Sequence, residues 1–268
     1  DNTNTELKSE NVQDAIDELY GVCFPPQVDL GDIEVPIVDD GDGLYKDEYE
    51  DGRYFYKGGN PNNYVTFNNE QAGWRIVSIE PDGTIKIMRT ASIGNQAWDS
   101  SNSNNWARPA SLNTYLNGTY YNSLNSTAQS QIVAKDWSIG AVTEDNNDLA
   151  AQVNDENSAK WNGKVALATV SEYIRSNSNK SKCGSFSLNN DNCSSCVNTG
   201  WMDTTTVSYW WTLSPYAGSS STSFRVSLFG TVGVNYGSPS YAVRPAVYLS
   251  PDVTLTGSGT QSDPYVLS

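Results

Sequence analysis

Apolar and polar residues alternate over short runs from Arg53 onward, and this period of two predicts strands at 53–56, 64–67, 74–79 and 84–89. Glu80-Pro81-Asp82-Gly83 carries turn chemistry between the last two runs, which predicts a hairpin. The spacing then lengthens. Residues 110–116, 126–133 and 170–176 have the apolar spacing of short helices, the third after a strand at 164–169. Strand patterning returns from Trp210 to the end of the chain. Strands first, helices in the middle and strands last predict an α+β fold whose terminal strands meet in one sheet.

Two segments precede this region. Residues 9–21 predict a short helix: Ser9 is placed to cap it, Val12, Ala15, Ile16 and Leu19 form one apolar stripe, and Gly21 suits the left-handed stop. Such a helix either docks on a neighbour or joins the chain to an N-terminal stalk or oligomer. Residues 24–51 combine Pro25, Pro26 and Pro36 with the acidic run Asp39, Asp40, Asp42, Asp47, Glu48, Glu50 and Asp51, which predicts an extended spacer or a loosely held strand, with a solvated acidic linker favoured. Asp40-Gly41-Asp42-Gly43 begins like a calcium loop, but Leu44 stands where an oxygen ligand is needed. The expected division is therefore 1–51 as helix and acidic stalk junction, and 52–268 as a ligand-binding domain.

Composition narrows the chemistry. The 268 residues carry a net charge of −15, which disfavours nucleic acid and anionic lipid as partners. Histidine is absent, removing Ser-His-Asp and Cys-His catalysis and every His-containing zinc site. A carboxylate-based hydrolase remains as an alternative, although no spaced acidic pair stands out. No apolar run is long enough to span a membrane, and the start at Asp1 without a signal-like stretch suggests a mature chain. No cofactor or metal is called for. Cys23 stands alone while Cys183, Cys193 and Cys196 crowd an Asn/Ser-rich loop, where disulfides of an oxidising compartment or reduced structural thiols are both open.

The richest tract is 210–249, in which Trp211, Leu213, Phe224, Val226, Val243, Ala246, Val247 and Leu249 frame residues of an adaptable kind. Tyr216, Ser219, Ser221, Thr222, Ser223, Ser227, Phe229, Thr231, Asn235, Tyr236, Ser238, Ser240 and Tyr241 are the candidate ligand-binding residues. Tyrosine with small polar residues is the composition of antibody paratopes, where rigid rings supply area and small groups supply adaptable hydrogen bonds. A β-meander whose side chains merely fill a surface would use similar residues. Alternation places Ser227, Phe229, Thr231, Asn235, Tyr236, Ser238 and Tyr241 toward solvent, opposite a face pinned by Phe224, Val226, Val232 and Val243.

The succession 56–67 (YKGGNPNNYVTF), 73–77 (GWRIV), 92–98 (SIGNQAW), 104–117 (NNWARPASLNTYLN), 211–216 (WTLSPY), 224–226 (FRV), 242–245 (AVRP) and 263–266 (DPYV) resembles a family of surface proteins from gut Bacillota and their phages. That family is similar to C-type-lectin-fold domains of the formylglycine-generating-enzyme kind, including the variable proteins of diversity-generating retroelements. The resemblance implies an extracellular, cell-surface or virion-borne binding protein and no enzyme, with a mutagenised tract in its closing strands. Its partner would be a protein or glycan on another surface, and the N-terminal helix would serve oligomerisation. Mutagenised Asn codons cannot yield Lys, Glu, Gln, Met or Trp, and 216–241 contains none of the five. The calcium tripeptide of the lectins and the cysteine pair of the sulfatase-modifying enzymes are missing from their places, so neither activity is implied. A structural fibre or pilus-type subunit is the main alternative.

Overall fold

The computed structural model describes residues 27–31, 33–143, 148–177, 200–203 and 206–268. The predicted helix at 9–21 and the four cysteines Cys23, Cys183, Cys193 and Cys196 lie outside these residues. The described chain is a strand-rich α+β fold.

The larger sheet runs, in order, Val165–Ala166, Ala246–Leu249, Ile85–Arg89, Glu70–Ile79, Tyr64–Phe67, Tyr265–Leu267 and Leu255–Thr256. The last strand of the chain lies parallel to Tyr64–Phe67, and Ala246–Leu249 pairs with Ile85–Arg89, so the two ends of the patterned region meet in one sheet as the strand order predicts. Ile79 opposes Ile85 across the predicted hairpin. Gly83 closes its turn at φ 81°, a conformation open to glycine without strain. The smaller sheet runs Val232–Tyr236, Thr222–Ser227, Tyr209–Pro215, Ser240–Ala242 and Asn95–Ala97. Trp74, Trp98, Trp106 and Trp211 are buried in a contiguous core that also takes in Phe224, Val226, Val232 and Val243.

The helix Val170–Arg175 begins with a reciprocal capping box, Thr169 bonding the Glu172 N–H while the Glu172 carboxylate accepts from the Thr169 N–H at 2.9 Å. Residues 110–116 give the helix Ser111–Tyr115, which continues through a π turn over Leu116–Tyr120. The strand expected at 164–169 shortens to Val165–Ala166. A further helix, Leu149–Asn157, carries a mixed face: Leu149 and Val153 are buried beside Gln152 and Glu156.

The acidic linker is corrected by the structure. Gly43–Lys46 is a strand of the larger sheet, paired with Tyr54–Lys57, and Leu44 and Tyr45 are buried. Asp42 accepts hydrogen bonds from the N–H groups of Gly59 at 2.9 Å and Asn60 at 2.8 Å. Gly58 has φ 115°, and a Cβ there would strike Asp42, which explains glycine at this close approach. Asp47 is buried against Arg175 at 2.6 Å. Asp47 is thus neutralised by a partner distant in sequence, whereas Asp39, Asp40, Glu48 and Asp51 remain exposed.

Candidate functional site

The terminal tract folds as the outer half of the smaller sheet. Opposite residues of antiparallel neighbours share a face, so the register sets the side-chain distribution: Phe224 opposes Val234, and Val226 opposes both Val232 and Trp210, making one buried face. The other face brings together Arg225, Trp211 and Asn235.

On that second face the Arg225 guanidinium lies 3.8 Å above the Tyr209 ring and 5.3 Å from the Tyr241 ring. Tyr241 is centred 5.3 Å from Tyr209 and 4.9 Å from Trp211. Its hydroxyl accepts a 2.7 Å bond from the Asn235 amide, and the Trp211 indole donates to the Gln96 carbonyl at 3.0 Å. Tyr209 is 37% exposed. The result is an aromatic platform crossed by one cation. Arg225 forms no ion pair among the described residues, and its Nε is buried without a hydrogen-bond partner. Cation–π contact offsets part of that cost, about 0.5–1 kcal/mol at a partly exposed site.

The predicted residues divide unevenly around this platform. Asn235 and Tyr241 belong to it. Phe229 (64% exposed) and Tyr236 (57%) project freely, and Ser238 and Ser240 are exposed. Tyr236 opposes Thr222 and falls on the Phe224 side of the sheet, not the Tyr241 side, so the single projecting face expected for Phe229, Tyr236 and Tyr241 is not formed. Ser223 and Ser227 are buried, contrary to the surface role expected of them. Ser227 organises the following turn: its Oγ accepts from the Phe229 and Thr231 N–H groups, each at 3.2 Å, and bonds the Thr231 hydroxyl at 2.6 Å. Ser223 Oγ and Thr222 Oγ1 are enclosed without hydrogen-bond partners. Tyr216 is half-buried with its ring edge-on to Phe224. Ser219 and Ser221 approach each other at 3.1 Å in the intervening loop.

That loop is braced from outside the tract. The Asn104 amide donates to the carbonyls of Tyr216, Ser219 and Thr222 at 3.0, 2.7 and 3.0 Å. Asp99 in turn holds its own loop, accepting from Ser101, Ser103, Ser111 and Arg108. Burial acts to raise the Asp99 carboxyl, and these hydrogen bonds outweigh it and hold the group below the usual carboxylate range. Of the platform residues, Trp211 belongs to the frame visible in the sequence, whereas Tyr209 and the bracing Asn104 carry no such framing signal in their own tract. The Asx/Ser run at 99–105 was the available signal, since side chains of this kind order loops through local backbone bonds.

Among the described residues no group of three Asp, Glu, His or Cys side chains is placed to hold a metal. No helix among them is long and apolar enough to cross a membrane. Comparison with curated proteins and with solved structures gave no match. Residues 82–251, which include the whole smaller sheet, match a domain of unknown function, DUF6273. This match spans well over half of the chain, and the protein belongs to the DUF6273 family.

Proposed function

We propose that this chain is an extracellular recognition protein of C-type-lectin-like fold, the variable protein of a diversity-generating retroelement, which binds a protein or glycan through the Tyr209–Arg225–Tyr241 face. The observation that carries the reading is the contrast inside one sheet. Phe224, Val226, Val232 and Trp210 form a packed, buried face, whereas the opposite face offers stacked rings and a cation with no acidic partner among the described residues. Aromatic and arginine side chains are the groups that concentrate binding energy at interfaces.

Sequencing the locus across a population tests the variable-protein reading. Variation concentrated at 216–241, with Phe224, Val226 and Val243 constant, is expected. Substitutions spread evenly over 82–251 would refute it. Binding is tested by presenting the purified chain and its Tyr241→Ser variant to glycan arrays and to surface-protein libraries. Ligands lost by the variant place recognition on this face, and ligands retained undiminished place it elsewhere.

A further inference from the structure

A second site lies in a different part of the molecule. A cavity of about 620 Å³ is lined by Tyr64, Arg75, Thr90, Trp201, Asp203 and Arg244, among others. Arg75 and Arg244 are only 4% and 2% exposed. Neither forms an ion pair with a carboxylate among the described residues, in a chain with 31 acidic residues and 16 basic ones.

Their hydrogen bonds go to neutral oxygens. Arg75 donates from Nε to the Asn63 amide oxygen at 2.6 Å and from Nη2 to the Pro61 carbonyl at 2.8 Å. Arg244 donates from Nη1 to the Met202 carbonyl at 2.6 Å and from Nε to the Arg89 carbonyl at 3.4 Å. Nη1 of Arg75 and Nη2 of Arg244 have no such partner among the described residues. Stacking fixes both planes: Arg75 lies 4.0 Å from the Tyr64 ring and 5.0 Å from Trp201, and Arg244 lies 4.9 Å from Trp210.

A buried guanidinium without a directly paired carboxylate is costly, and two facing one cavity are costlier still. Burial lowers both groups to about 10 from 12.5; at Arg244 the Asp203 carboxylate opposes the shift and the positive charge of Arg75 adds to it. Asp203 is itself engaged, accepting from the Tyr173 hydroxyl at 2.6 Å and the Gly200 N–H at 3.3 Å. The arrangement is preorganised for a negative group arriving from outside, because pairing with an oxyanion would offset the desolvation already incurred.

We propose that the Arg75–Arg244 cavity binds a small organic anion, its carboxylate or sulfate group held between the two guanidinium groups and its body against the cavity walls. A cavity of this volume is the size of a small-ligand pocket, about 300–1,000 Å³, which favours an anion with an organic body over a bare inorganic ion. The site is independent of the recognition face and does not rest on it.

The test follows the Nε–Hε signals of Arg75 and Arg244 by NMR in the wild-type chain at constant ionic strength. Glucuronate and benzoate are titrated against their neutral counterparts glucose and benzamide, with sodium sulfate and sodium chloride in parallel. Saturable shifts of both signals with at least one organic acid, and none with its neutral counterpart, are expected. The Arg75→Gln and Arg244→Gln variants should each weaken that binding about tenfold or more. Should either variant fail to fold, the wild-type titration still decides. Three results would overturn the proposal: no saturable shift with either acid, equal responses to the acids and to chloride, or saturation by inorganic sulfate alone.

Discussion

The charges around Glu172 and those around Arg75 and Arg244 are equally buried and are treated in opposite ways. Glu172 receives Lys86 at 2.6 and 2.8 Å and Arg53 at 2.8 Å. Around it Arg175 meets Asp47, and Arg53 also meets Glu50, leaving a residual cavity of about 70 Å³. This cluster ties the Gly43–Lys46 region, the larger sheet and the helix Val170–Arg175 into one unit. The arginine cavity has two cations bonded to neutral acceptors, one carboxylate, Asp203, already engaged by Tyr173 and Gly200, and open volume. Where the protein supplies both signs of charge, the outcome is a closed structural joint. Where two cations face a cavity without an ion pair among the described residues and the nearby carboxylate is engaged elsewhere, room is left for a ligand's negative charge.

Glu172→Gln breaks the first half of this comparison and should have the largest effect. Glutamine keeps the shape and the capping-box oxygen but leaves Lys86 and Arg53 buried without their shared counter-charge, which should cost about 3–5 kcal/mol. Urea unfolding at pH 7 measures it, and a loss under about 1 kcal/mol would mean that Asp47, Glu50 and Glu80 carry the cluster without Glu172. Burial alone would raise the Glu172 carboxyl, but Lys86 and Arg53 pull it from 4.5 to about 2. A depressed carboxylate contributes stability above its unfolded value, and that contribution is lost as pH falls through the folded one. The wild-type chain should therefore lose part of its advantage over Glu172→Gln between pH 4.5 and 2. Glu156 has the opposite sign. Burial raises its carboxyl against the hydrogen bonds from Ser171 and Ser214, so its contribution diminishes as pH rises.

Phe224→Ala comes next, at about 3–5 kcal/mol, because the side chain is wholly enclosed between the sheet and the Tyr216 ring. It tests whether the buried face of the smaller sheet is as fixed as the ion cluster. A cost under about 1 kcal/mol in a thermal or urea melt would mean that this face can relax around a cavity, and the frame would not be rigid.

The contrast between these regions also explains what could be read from the chain alone. Strands such as Tyr64–Phe67 and the helix Val170–Arg175 are legible because their signals, alternation and helical apolar spacing, are local. The fate of Asp47 is not. Its partner Arg175 lies 128 residues away, and in sequence its neighbours are like charges that read as mutually repelling. The helix Leu149–Asn157 has no legible sequence signal because it buries Gln152 and Glu156 along with its apolar residues, leaving no clean stripe. On the candidate face, the aromatic tract was visible in composition, but register decided which residues meet. The bulge between Trp211 and Pro215, and the turn held by Ser227, cannot be counted from residue types. Arg75 and Arg244 are each a lone charge in an apolar run, and only the fold brings them together at one cavity.

Arg225→Met should leave stability within about 1 kcal/mol, a smaller effect than either core change. It removes stacking on Tyr209 but also removes a buried Nε that has no partner, and these contributions oppose each other. Ligand binding through the platform should nevertheless fall by about tenfold or more, since arginine at the centre of an aromatic patch concentrates interface energy. A melt showing a loss as large as that of Phe224→Ala would reassign Arg225 to the scaffold.

The smallest effect is expected for Phe229→Ser combined with Tyr236→Ser. Both rings are more than half exposed, and they stand at different ends of the Val232–Tyr236 edge strand. Removing them should shift stability by no more than about 0.5 kcal/mol, the range of surface substitutions away from packed or buried features. Because Tyr236 lies across the sheet from the Tyr241 platform, the two positions should contribute separately to binding, and a double-mutant cycle between Tyr236→Ser and Tyr241→Ser should show additive losses within about 0.5 kcal/mol. Strong coupling between them would mean that one ligand wraps the edge strand and engages both faces at once. The recognition surface would then be the strand's rim rather than the Tyr209–Arg225–Tyr241 face.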